Sequence, residues 1–130
     1  MNIVYSYFVL DIVHRGHLLM LKNSKAIAGP DGRLIVGIVA DEAVVAKKGK
    51  APILDFSERL ELANSIQYVD AVVGQQNYTP YENVTNIAPN ILMESESHDE
   101  AQINEGRRLM KELGGRVIVM PYFHDQSSTL

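Results

Sequence analysis

The chain has 130 residues, 46% hydrophobic and 22% charged, with a formal net charge of −4. That length makes one domain around a single core, and the acidic balance argues against a nucleic-acid binder, which usually presents a basic face. Cysteine is absent, excluding disulfides and thiolate metal sites. No apolar run approaches the ~20 residues of a bilayer span, and the start lacks a secretory signal's pattern, so a cytoplasmic protein with no membrane partner is expected.

The first apolar run, Ile3 to Leu10, reads as a strand buried on both faces. A helix is expected from His17 to about Ala28, stopped by the turn residues Gly29-Pro30-Asp31-Gly32. Leu34 to Ala40 is a second buried strand. From Asp41 to Leu54 the pattern is ambiguous, its first part compatible with helix and its second a basic loop around Lys47, Lys48 and Lys50. Asp55-Phe56-Ser57-Glu58 has the form of a capping box, and Leu62, Ile66 and Val69 give the following helix an apolar stripe.

Ala71 to Val73 is a short third strand, Tyr81 to Ala88 a brief helix, and Asn90 to Met93 a fourth strand. Glu100 to Leu113 is a helix ended by Gly114-Gly115, and Val117 to Met120 a fifth strand. Strands alternating with helices imply a single Rossmann-like, three-layer α/β domain. Its parallel sheet of about five strands should carry helices on both faces. In such a sheet ligands bind beyond the carboxyl ends of the strands, near the point where strand order reverses.

His14-Arg15-Gly16-His17 falls where the first strand feeds the first helix. A helix N-terminus offers unpaired N–H groups and the positive end of a dipole. Gly16 lets backbone approach a phosphate, and two imidazoles can donate hydrogen bonds as charge builds on phosphorus. Local positive charge for a phosphate also exists at Lys47, Lys48, Lys50 and Arg59. A basic loop is as often plain solvated surface. Arg59 stands in the first turn of its helix, an unfavourable place for a cation; it either meets a ligand or forms a surface salt bridge with Asp55. Asp11 either orients a histidine or the turn after the first strand, or is a buried structural carboxylate. Glu96, His98 and Asp99 make a poor metal site, so no protein-held metal is expected.

Three blocks resemble the nucleotidyltransferase superfamily that carries the His-x-Gly-His signature, and most of all its small cytidylyltransferases. They are Asp11-Ile12-Val13-His14-Arg15-Gly16-His17-Leu18, then Glu58-Arg59 with Tyr68-Val69-Asp70, then Ser127-Ser128-Thr129. The resemblance implies transfer of a cytidylyl group from CTP to a small acceptor bearing a phosphate or phosphonate, with release of pyrophosphate. Adenylyl transfer and a weakened nucleotide-binding module are the alternatives. It implies that His14 and His17 meet the α- and β-phosphates, that Lys47 or Lys50 meets the acceptor or α-phosphate, and that Arg59 meets the departing pyrophosphate. Val9, Leu10, Asp11, Gly16, Lys50, Ser127, Ser128 and Thr129 would surround the nucleotide. Lys48, Glu94 and Glu96 would face the acceptor, with the glutamates on a loop after the fourth strand.

Mg²⁺ would arrive with the triphosphate, and a homodimer is implied. The domain is read as residues 1–130, lacking a helix that follows the Ser-Thr element in relatives. Where relatives place Gly-Thr before the Phe-Asp of the first block, this chain has Phe8-Val9 before Leu10-Asp11.

Overall fold

Each apolar run becomes a strand in the computed structural model, which describes residues 1–121. The order is β1 (Ile3–Phe8), α1 (Arg15–Ala28), β2 (Arg33–Val39), α2 (Asp41–Lys48) and α3 (Phe56–Asn64). It continues with β3 (Ala71–Gln75), α4 (Tyr81–Ile87), β4 (Ile91–Ser95), α5 (Glu100–Glu112) and β5 (Arg116–Met120). The five strands form one parallel sheet in the order β3-β2-β1-β4-β5. In β1 and β2, Ile3 is opposite Arg33 and Phe8 opposite Ile38.

The period-2 alternation of the strands sorts the core into two clusters. Val4, Val36, Ile38 and Met93 pack with Leu21 of α1 and Ala63 of α3. Tyr5, Tyr7 and Leu92 pack with Val84 of α4 and Met110 of α5 on the other face. Helices therefore cover both faces, giving the expected three layers. Two buried tyrosines in the central strand need polar partners. The Tyr5 hydroxyl donates to Gln75 Oε1 at 2.6 Å and accepts from Asn83 Nδ2 at 2.9 Å. A Cβ on Gly37 would stand 1.9 Å from that hydroxyl, so glycine is what makes room for it.

Some boundaries differ from the sequence reading, for local reasons. β1 ends at Phe8 because Leu10 adopts a left-handed φ of 60° while its side chain is buried. That conformation turns the chain out of the sheet at some strain. α1 starts earlier, at Arg15, because His14 caps it. The ambiguous stretch is helical only in its first part, α2, which takes in Lys47 and Lys48 where a loop is expected and is ended by Gly49 at φ 79°. The capping box of α3 forms as expected, Asp55 accepting from the Glu58 N–H at 2.9 Å. β4 runs to Ser95, so Glu94 lies in the strand rather than on a loop. Among the described residues no helix is long and apolar enough to cross a membrane.

Candidate active site

β1 is the centre of the sheet, with its sequential neighbour β2 on one side and β4 on the other. Strand order reverses between β1 and β4, and a pocket of about 190 Å³ opens there. Tyr7 and Phe8 of β1, His14, Gly16 and His17 at the start of α1, and His98 after β4 line it. The position is where open α/β sheets bind ligands.

The two histidines of the signature form a capping box with each other. His14 Nδ1 accepts from the Gly16 N–H at 3.0 Å, and His17 Nδ1 accepts from the His14 N–H at 3.3 Å. A backbone N–H can only donate, so each neutral ring must carry its proton on Nε2. The rings stack 4.1 Å apart, and Phe8 meets His17 edge-on at 5.8 Å. This bulky replacement of the relatives' small residue thus backs a histidine. Burial, and then the nearby His14, push the His17 pKa down to about 4. His17 is therefore a neutral donor at physiological pH.

That depression has a sign for stability. Unfolded His17 takes up a proton near 6.5 and folded His17 only near 4, so the folded state binds fewer protons between those values. The stabilising contribution is complete above 6.5 and is lost as pH falls toward 4. The ring is only partly buried, so about 1–2 kcal/mol is the expected size. Urea titrations from pH 7 to 4 should show this acid-side loss shrinking in His17→Gln. Equal losses in both proteins would remove His17 as the cause.

Other residues singled out in the sequence take different places. Arg59 is not available to a pyrophosphate in this structure, nor does it pair with Asp55. It is wholly buried, donating to Leu54 O at 3.1 Å, Val9 O at 2.7 Å and Asp41 Oδ1 at 2.6 Å. The helix-dipole cost noted from sequence is met by these acceptors. Val9 thus gives its carbonyl to Arg59, and Leu10 gives its side chain to the core.

Asp11 latches the turn, accepting from the N–H groups of Ile53 and Leu54 at 2.8 and 2.7 Å. Burial opposes its charge, but those two N–H groups, with Arg59 and Lys48 nearby, hold its pKa below the usual value. Gly16 lines the pocket, yet its N–H is already taken by His14. Lys47, Lys48 and Lys50 are exposed and none lines the histidine pocket; Lys47 sits 5.7 Å from the Tyr78 ring centre.

Glu94 is fully buried and is absent from the pocket lining, its Oε1 turned to the Tyr7 hydroxyl and the His98 ring. Glu96 is exposed, its N–H bonded to Met120 O. Ser127, Ser128 and Thr129 lie outside the described residues. His98 is the pocket residue that sequence reasoning passed over as a weak metal ligand. Its spacing from Glu94, four positions along a turn, was the available signal.

The chain is similar in sequence to several known proteins. An FAD synthase from Korarchaeum cryptofilum is 34% identical over 122 residues, covering 92% of this chain and 81% of that protein. A D-beta-D-heptose 1-phosphate adenylyltransferase from Bordetella bronchiseptica is 28% identical, covering 98% and 77%. The bifunctional protein HldE of Coxiella burnetii is 34% identical over 121 residues, and the chain spans a quarter of its length. Among solved structures, a lipopolysaccharide core biosynthesis protein from Thermoplasma volcanium superposes with a TM-score of 0.74 at 28% identity, over 95% of this chain and 97% of that one. The Cytidylyltransferase-like family matches residues 9–129, spanning the paired histidines and the reversal of strand order. With fold and sequence in agreement over nearly its whole length, the chain belongs to that family of nucleotidyltransferases.

Proposed function

We propose that this protein transfers an adenylyl group from ATP to a small acceptor carrying one phosphate or phosphonate, releasing pyrophosphate. The pair of imidazoles at the start of α1 carries this reading, since both Nδ1 atoms are engaged and both Nε2–H donors remain for phosphoryl oxygens. Donors fixed before the reaction stabilise developing charge without reorganisation. The rest of the task is alignment of acceptor oxygen, α-phosphorus and leaving group, which requires no covalent chemistry from the protein. Mg²⁺ enters as part of the triphosphate substrate, held by phosphate oxygens.

ATP is preferred as donor because the relatives' names, an FAD synthase and a heptose phosphate adenylyltransferase, concern adenylyl chemistry. CTP is the second reading, favoured by the matching family's own description. A small acceptor is preferred over a flavin because one relative's name gives a heptose 1-phosphate as what it acts on.

Pyrophosphate release measured for ATP, CTP, GTP and UTP against a sugar 1-phosphate, glycerol 3-phosphate, an alkyl phosphonate and flavin mononucleotide tests all three choices. Turnover at least about tenfold faster with ATP than CTP, on a small phosphorylated acceptor, is the expected result. Faster turnover with CTP moves the assignment to the second reading. Reaction with flavin mononucleotide alone overturns the small acceptor. No release with any pair leaves a nucleotide-binding module.

A further inference from the structure

Two lining residues of the pocket, Tyr7 and His98, are bonded to a buried carboxylate behind them that adenylyl transfer, as described, does not use. Glu94 is fully buried, and its Oε1 accepts from the Tyr7 hydroxyl at 2.7 Å. The same oxygen lies 2.5 Å from His98 Nδ1, while Oε2 has no hydrogen-bond partner among the described residues. A turn produces this contact: the His98 N–H donates to Ser95 O at 2.9 Å and brings the ring back over the strand.

At the Tyr7 end this chain of bonds has a fixed direction. Gln102 Nε2 donates to the Tyr7 hydroxyl at 2.6 Å, which fixes that hydroxyl as donor to Glu94. Burial, and then the Glu94 charge, push the Tyr7 pKa upward, so the phenol keeps its proton. A carboxylate so buried requires donors, and a 2.5 Å approach requires a hydrogen between the two atoms. A neutral His98 facing an ionised Glu94 can meet it only with its proton on Nδ1. The Ser95 N–H at 3.5 Å and the Tyr7 hydroxyl at 3.3 Å approach the same nitrogen less closely than Glu94 Oε1 does.

The consequence is a tautomer opposite to that of His14 and His17. Those rings keep Nε2–H and lose their lone pair to backbone. His98 lines the pocket with its side chain 31% exposed, and in that tautomer its Nε2 presents a lone pair. A histidine whose Nδ1–H is held by a buried carboxylate is the arrangement by which a ring nitrogen takes a proton during catalysis.

We infer that His98 is the general base for the acceptor, with Glu94 and Tyr7 as the residues that position it. This rests on the nucleotidyl-transfer reading and names a proton path for it. The acceptor oxygen forms a bond to the α-phosphorus, the bond from that phosphorus to the bridging oxygen breaks, and pyrophosphate departs. The proton carried by the attacking oxygen passes to His98 Nε2. The acceptors served this way are those whose attacking oxygen still holds a proton at neutral pH, namely a hydroxyl or a singly charged phosphate or phosphonate.

The test uses the full chain with whichever donor and acceptor give turnover in the survey above. His98→Ala should lower kcat by about a hundredfold, as loss of a general base does, with little change in the KM for the nucleotide. Added imidazole should restore much of that rate, and should not restore His14→Ala. His98→Gln, which keeps a donor toward Glu94 but has no proton-accepting nitrogen, should be equally slow without rescue. Glu94→Gln should lower kcat, and long-range ¹H–¹⁵N spectra of His98 should change from the Nδ1–H to the Nε2–H form.

Near-normal kcat in either His98 variant overturns the inference. So does a natively folded His98→Ala that imidazole fails to rescue, or an Nε2–H ring in the unaltered protein. These outcomes leave nucleotidyl transfer standing. An unaltered protein inert with every substrate pair sinks both readings together.

Discussion

His14→Ala and His17→Ala are each expected to lower turnover by at least about a hundredfold, the roughly 3–4 kcal/mol lost with one fixed donor to a developing oxyanion. The structure separates this from a folding effect. His14 caps α1 through Nδ1, and removing such a cap costs about 1 kcal/mol. His14→Asn supplies another capping oxygen but no Nε2–H, so it should recover stability and not turnover. Single-turnover rates together with thermal melts make the distinction. If His14→Asn turned over at the normal rate, the helix cap would be the whole of that residue's role.

Arg59→Ala is expected to destabilise the fold by about 3 kcal/mol, lowering Tm by on the order of 10 °C. The guanidinium ties the exit of β1 at Val9, the start of α2 at Asp41 and the segment before α3 at Leu54. Losing it strands two carbonyls and a carboxylate. Because Asp41 is 36% exposed, water softens part of the loss, which sets the figure at the lower end for a broken buried pair. Arg59→Lys should be nearly as damaging, since a single ammonium has no fork to span three segments. Binding of ATP and AMP should weaken by similar factors, through a loosened turn. A melt within 2 °C of the normal one, about half a kilocalorie, would contradict the tie. Selective loss of ATP binding would return Arg59 to the outer phosphates.

The strand-helix alternation and the paired histidines were legible because both are local. Apolar runs mark parallel strands by composition, and the signature histidines are placed by the strand and helix on either side of them. Arg59 was misplaced for the opposite reason. Its partner Val9 is fifty positions away, and an argument from the helix dipole sees only the first turn. Glu94 was assigned to a loop because a carboxylate following Met93 looks like the end of a strand. Only the side chains of Tyr7 and His98, brought in from β1 and the next turn, make a buried carboxylate tolerable there. Lys47, Lys48 and Lys50 do not line the pocket at the β1–β4 junction, because charge alone does not report strand order.

Placing the first strand at the middle of the sheet has a cost during synthesis. One side of β1 is completed by β2, but the other waits for β4, and the Ile3 N–H finds its acceptor on Asn90, 87 positions later. At typical rates of ~5–20 residues per second, that flank of a Tyr- and Val-bearing strand stays open for on the order of ten seconds on the ribosome. An uncovered strand edge is a template for pairing with other chains. The nascent protein is thus most exposed to misassembly before β4 emerges, and a holdase that shields β1 over that interval would raise the yield of folded chain more than one acting after release.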